Sequence, residues 1–188
     1  MDGENILIPD TKPFQITPDI YGQAYKTSQN MFVYPKNRIM QLLLLILAVD
    51  FGYHGGKDPS NKMAFILMFV CLALIAVLWF NPRKMRRSVM DVVREIEGDE
   101  YIFNLYEVRM SFRTLPPDTQ ETDDVPAEPS VLYLNNEMKA SEKAEFFLIC
   151  KGKQLFYVLP KYALNDNQAD ILRDTLKNNL GKRFRCNI

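Results

Sequence analysis

One histidine, His54, and three widely separated cysteines, Cys71, Cys150 and Cys186, are the only imidazole and thiols in this 188-residue chain. No C-x-x-C pair and no Cys/His cluster has ligand spacing, so no metal site is expected and the thiols read as buried or incidental. Their odd number also argues against a disulfide framework. Net charge is absent as well: 23 basic and 23 acidic residues cancel, which speaks against a nucleic-acid binder, where a basic excess is expected. Asp2 and Glu4, with no basic residue, precede the first apolar triplet, so the N-terminus does not read as a cleavable signal peptide. A glycine-rich phosphate loop is missing, because "GYHGG" lacks the G-x-x-x-x-G-K-[ST] pattern. No internal repeat is apparent.

The average composition, 47% hydrophobic and 24% charged, conceals an uneven distribution. "MAFILMFVCLALIAVLWF", Met63 to Phe80, is a run of uncharged residues reaching roughly 27 Å as a helix, close to a hydrocarbon core of about 30 Å. A soluble helix of this length would show a polar face, and none is visible. Trp79 and Phe80 suit an interface, and Asn81 and Pro82 are expected to close the span. "IMQLLLLILAVDFGY", Ile39 to Tyr53, reaches only roughly 22 Å and contains Gln41 and Asp50. It is expected to cross as one arm of a two-helix transmembrane hairpin whose turn is "HGGKDPSNK".

Lys36 and Arg38 precede the first span, and Arg83, Lys84, Arg86 and Arg87 follow the second; the loop between carries only Lys57 and Lys62, with Asp58. The positive-inside rule then puts both termini in the cytoplasm of a multi-pass protein. This topogenic role is enough to explain the cluster "RKMRR", and attraction to anionic membrane lipids is a second reading. Asp50 sits about 16 Å along a helix begun at Ile39. It reads either as an interfacial anchor paired with His54 at i+4, or as a functional charge inside the bilayer.

Residues 1–38 are expected to form an N-terminal cytoplasmic strand and helix, the helix capped by Thr17, opened by Pro18 and favoured by Asp19, with Ile20, Ala24 and Met31 near one face. The hairpin occupies 39–81. Residues 82–188 are expected to begin with an amphipathic helix (Met85, Val89, Val92, Val93, Ile96) ending at Gly98, and to continue into strands in "YIFNLYEVRMSF", "SVLYL", "EFFLICK" and "KQLFYVLP". Lys151, Gly152 and Lys153 suit the turn between the last two. A final helix has Asn165 as cap, Gln168 three residues on, an apolar stripe of Ile171, Leu172, Leu176 and Leu180, and Gly181 as its stop. At 115–129, "LPPDTQETDDVPAEP" combines four prolines with five acidic residues and reads as a surface loop.

That order of elements, together with the ending "FYVLPKYALNDNQADILRDTLKNNL" and the segment "ITPDIYGQAYKTSQN", resembles the YcxB-like family of bacterial membrane proteins. Pro160, Lys161 and Tyr162, between the last strand and the capped helix, carry the closest likeness. The resemblance covers most of the chain in architecture and about forty C-terminal residues in motif. It implies an α+β membrane protein of the bacterial cytoplasmic (inner) membrane, with a small cytosolic antiparallel sheet, pleckstrin-homology-like, capped by a C-terminal helix. The acidic loop stands where family members usually have a shorter connection, and no catalytic residues come with the family.

Catalysis of the Cys/His kind is not expected, because His54 would face outward while Cys150 and Cys186 lie in the cytoplasm. No cofactor is expected. The reading that remains is a membrane-anchored, non-enzymatic binding or regulatory protein that presents its domain to a protein partner through a sheet edge or helix groove. An immunity protein that neutralises a bacterial toxin, and a small transport component using Asp50, are the alternatives, and a homo-oligomer is left open.

Overall fold

Pro18 lacks an N–H that the first helical position does not need, and it opens α1 (Pro18–Phe32), with Asp19 in the first turn. The Thr17 carbonyl accepts the Tyr21 N–H at 3.0 Å. Val33 alone separates α1 from α2 (Tyr34–Lys57), where Pro35 removes the N–H that would continue one helix into the next. The computed structural model describes residues 5–95, 98–115, 129–153 and 155–186. The chain is α+β, with two long apolar helices, α2 and α3 (Lys62–Glu95), and nine strands among the described residues. It divides into two units: residues 1–24 with 92–188, and residues 25–91.

In the unit 25–91, both long helices exceed their apolar runs. α2 has 24 residues and α3 has 34, about 36 Å and 51 Å long. Both are long and apolar enough to cross a membrane, and only 11% of the most apolar window of each is buried. The helix does not end near Tyr53 as its composition suggests; it runs through His54, Gly55 and Gly56 to Lys57. Gly55 explains this, since a Cβ there would stand 3.1 Å from the Phe65 ring: glycine admits close packing that outweighs its poor helix propensity. Ala48, Gly55, Ala64 and Cys71 form the buried seam. The turn is therefore only 58–61, where Asp58 Oδ1 accepts the Ser60 N–H and Asn61 Oδ1 caps the Ala64 N–H at 3.2 Å.

The expected stop at Asn81 and Pro82 also fails, because α3 continues through Pro82. A proline in a helix interior deprives the carbonyl four residues back of its donor. That carbonyl belongs to Leu78, and Asn37 Nδ2 of α2 donates to it at 3.2 Å. The Pro82 carbonyl in turn accepts Gln29 Nε2 of α1 at 2.9 Å. Asn37 thus takes over the bond that the proline removes, Gln29 adds a tie to the next turn, and α3 survives.

In the other unit, β1 (Ile6–Ile8), β2 (Phe14–Gln15), β3 (Glu100–Tyr106), β4 (Arg109–Leu115) and β5 (Ser130–Tyr133) make one antiparallel sheet. β1 and β2 both pair with β3, so the N-terminal strands belong structurally with the C-terminal part. Buried Thr11 bridges the gap between them: its N–H donates to the Phe103 carbonyl and its Oγ1 accepts the Phe103 N–H, both at 3.0 Å. A second sheet, β8 (Leu155–Pro160), β7 (Phe146–Lys151), β6 (Met138–Glu142) and β9 (Phe184–Cys186), is antiparallel except for the β6–β9 pair, which is parallel. Gly152, at φ +65°, sits in the turn between β7 and β8 where a left-handed residue is needed.

Both sheets contribute to one core, including Phe103, Leu105, Met110, Phe147, Ile149 and Leu159. α4 (Asp166–Leu180) lays Leu172, Leu176 and Leu180 onto it. Its capping box is complete: Asn165 Oδ1 accepts the Gln168 N–H at 2.8 Å and Gln168 Oε1 accepts the Asn165 N–H at 3.0 Å. Ile171 departs from the expected stripe and is exposed, while Thr175 is buried and its Oγ1 donates to the Ile171 carbonyl. Of the series after Pro82, Val93 is buried but Met85 and Val92 are exposed; Ile96 lies outside the described residues, as does most of the acidic loop, 116–128.

The bond across Pro82 predicts a thermodynamic coupling. Asn37→Val should lower the thermal stability of the detergent-solubilised chain by about 1 kcal/mol, since it leaves the Leu78 carbonyl unpaired. In a Pro82→Ala background the helix N–H is restored and the same change should cost little. Equal costs in both backgrounds would show that the asparagine does not serve the proline.

Candidate functional site

The contact between Asn37 and the Leu78 carbonyl brings both basic segments to one end of the hairpin. Lys36 and Arg38 flank Asn37 on α2, and Arg83, Lys84, Arg86 and Arg87 follow Leu78 on α3; all are exposed except Arg86, which is half-buried. Trp79 organises this end. The Arg83 guanidinium lies 3.6 Å from the indole centroid, and its Nη1 reaches back to the Trp79 carbonyl at 3.4 Å. Tyr34, Asn37, Arg38 and Gln41 of α2 face Leu78, Trp79 and Arg83 of α3 across a cavity of about 280 Å³.

At the opposite end, His54 Nε2 is 3.7 Å from Asp50 Oδ1, one turn apart because the helix continues. Lys57 Nζ lies over the Tyr53 ring at 4.5 Å. The Asp50 side chain is 58% exposed and is not one of the buried seam residues. The two side chains pair with each other along one face of α2 and take no part in its contact with α3.

Pro160, Lys161 and Tyr162 have a different role. Pro160 ends β8 opposite Phe146, and the Lys161 N–H donates to the Glu145 carbonyl at 2.8 Å. The Tyr162 hydroxyl donates to the Gln15 carbonyl, joining the turn to the N-terminal segment; burial pushes this hydroxyl's pKa up. Lys161 and Tyr162 also border an open depression of about 520 Å³ with Asp19, Gln23 and Glu145.

Lys161 Nζ points to a group that sequence reasoning missed. Glu142, the last residue of β6, is wholly buried. Its Oε1 takes Lys161 Nζ and Arg173 Nη2, each at 2.7 Å, and its Oε2 takes Arg173 Nε at 2.8 Å and the Cys186 thiol at 3.4 Å. Arg173 also binds Asp170. Burial by itself would raise the Glu142 pKa, but hydrogen bonds from Arg173, Lys161 and Cys186, with the Lys161 charge, hold it at about 2. The Arg173 pKa is raised by the bond to Glu142, against the opposing effect of burial. One carboxylate thereby ties β6, the turn after β8, α4 and β9 together. No spacing signal could have found it, since residues 142, 161, 173 and 186 meet only in the fold.

Among the described residues no three His, Cys, Asp or Glu side chains gather as metal ligands. No protein-family model, curated protein or solved structure matches the chain.

The Glu142 cluster predicts an acid-sensitive domain. With a folded pKa of about 2 against an ordinary value of 4.5, its contribution is complete above pH 4.5 and is lost as pH falls towards 2. Arg173→Ala, which leaves the buried Glu142 carboxylate with Lys161 and Cys186 as its remaining partners, should destabilise the domain by about 2–3 kcal/mol at neutral pH. Glu142→Gln should flatten the decline in melting temperature between pH 5 and 2, as read by thermal unfolding; an unchanged slope would assign acid sensitivity elsewhere.

Proposed function

We infer that this chain is a membrane-anchored, non-enzymatic binding or regulatory protein that presents its sheet domain to a protein partner at the cytoplasmic face of a bacterial inner membrane. One observation carries the anchoring: α2 and α3 leave Leu42, Leu43, Ile46, Val49, Ile66, Phe69, Val70 and Val77 exposed along their lengths. Such continuous apolar surface is ruinous in water and suited to lipid. Basic residues at one end of the hairpin support the orientation with both termini inside. Two sheets around one core, closed by a C-terminal helix, suit the pleckstrin-homology-like arrangement that the YcxB-like resemblance implies.

Partner binding is supported by a sheet edge. Among the described residues β5 pairs only with β4, and Val131 and Tyr133 on it are exposed. An edge with free backbone groups and outward apolar side chains suits strand addition by an extended peptide. Transport through Asp50 gains no support from a carboxylate that stands clear of the helix–helix seam.

Membranes bearing the full chain should retain it through alkaline carbonate washing. Cys186 is the exposed cysteine, whereas Cys71 and Cys150 are buried. An impermeant maleimide should therefore label the chain only after the cells are permeabilised, and Cys186→Ser should abolish that labelling. Labelling of Cys186 in intact cells would reverse the topology, and release by carbonate would remove the anchor.

A further inference from the structure

The cavity between α2 and α3 at the basic end of the hairpin carries two guanidinium groups and no carboxylate. Arg38 stands on one wall and Arg83 on the other, and among the described residues neither has an acidic partner within ion-pair distance. Two like charges facing one small concavity repel unless an anion lies between them. Arg83 is already held for such a ligand: stacking on Trp79 at 3.6 Å and the bond to the Trp79 carbonyl fix its guanidinium, so little side-chain freedom is lost on binding. Tyr34, Asn37 and Gln41 add neutral hydrogen-bonding groups around it. About 280 Å³ lies just below the usual range for ligand clefts, roughly 300–1,000 Å³, and suits a small polar group.

What adjoins the cavity decides the ligand's source. One helical turn from Arg38 lies Leu42, and the Phe80 ring packs edge-on against Trp79 at 4.9 Å; both Leu42 and Phe80 are more than half exposed. A soluble phosphate has no use for that apolar surface, but a phospholipid would place its acyl chains along it while its phosphate sits between the arginines. We propose that this cavity is a binding site for the headgroup of an anionic glycerophospholipid, gripped by Arg38 and Arg83 from opposite helices. This inference rests on the membrane-anchored reading and goes beyond it, since positive-inside orientation requires only charge near the surface, whereas a headgroup site requires these two arginines in particular.

Trp79 is the chain's single tryptophan, so its fluorescence reports on the site directly. Full-length protein in a neutral detergent is titrated with phosphatidylglycerol, with phosphatidylcholine, and with inorganic phosphate. The expected result is a saturable change in Trp79 emission with phosphatidylglycerol, at least tenfold weaker with the other two. Arg38→Gln combined with Arg83→Gln should weaken it a further tenfold or more, whereas Arg86→Gln with Arg87→Gln, an equal loss of charge, should leave it within twofold. Equal responses to both lipids, saturation by inorganic phosphate in the same range, or equal losses in the two double variants would each overturn the site. The wild-type lipid comparison stands alone should a variant fail to fold. Carbonate washing separates the two levels: a retained wild type with no lipid discrimination loses only the headgroup site, whereas a released wild type loses the anchor and the site together.

Discussion

A backbone carbonyl without a donor is the constraint around which the hairpin is organised. Pro82 strips the Leu78 carbonyl of its helical partner, and an apolar helix offers nothing of its own in exchange. Asn37 supplies the missing donor from α2, and Gln29 binds the proline's own carbonyl from α1. Those bonds fix which residues of the two long helices lie level with one another. From that register follow the cavity flanked by Arg38 and Arg83 and the position of Trp79. A polar repair of one helix thus sets the geometry of the basic end.

In the sheet domain the comparable constraint is a buried charge. Glu142 has no access to water, and it is tolerable only because a lysine, an arginine and a thiol surround it. Their elements cannot separate without leaving an ionised carboxylate in a place of low polarity. The chain reversal after Pro160 shows how Lys161 and Tyr162 serve the fold: Lys161 delivers an ammonium group to Glu142 and Tyr162 a hydroxyl to the N-terminal segment.

Local patterns were legible where they rest on neighbouring residues. Pro18 opening α1, the Asn165–Gln168 box and the turn at Gly152 all follow from dihedral preference or short-range bonding. β6 and β9 escaped notice because "MKASE" and "FRC" owe their strand character to pairing partners rather than to composition. Ile171 is exposed instead of joining the apolar stripe, and Thr175, one turn further on, was not foreseen in it because a threonine is readily buried only once its hydroxyl binds a backbone carbonyl, here that of Ile171. At the basic end, the arginines were evident as charges, but Tyr34, Asn37 and Gln41 carried no signal apart from their neighbours across the hairpin.

By itself the sequence determined two long apolar helices joined by a short turn, an asymmetric distribution of basic charge, and a strand-rich remainder closed by a capped helix. Those properties are set by residues within a few positions of one another. Only the tertiary structure decided that α3 passes through Pro82, that α2 outlasts its apolar run, that Glu142 is a buried junction, and that Arg38 meets Arg83 across a cavity. Each depends on a contact between residues distant in the chain, where a donor, a charge or a glycine's missing side chain matters only in the presence of its partner.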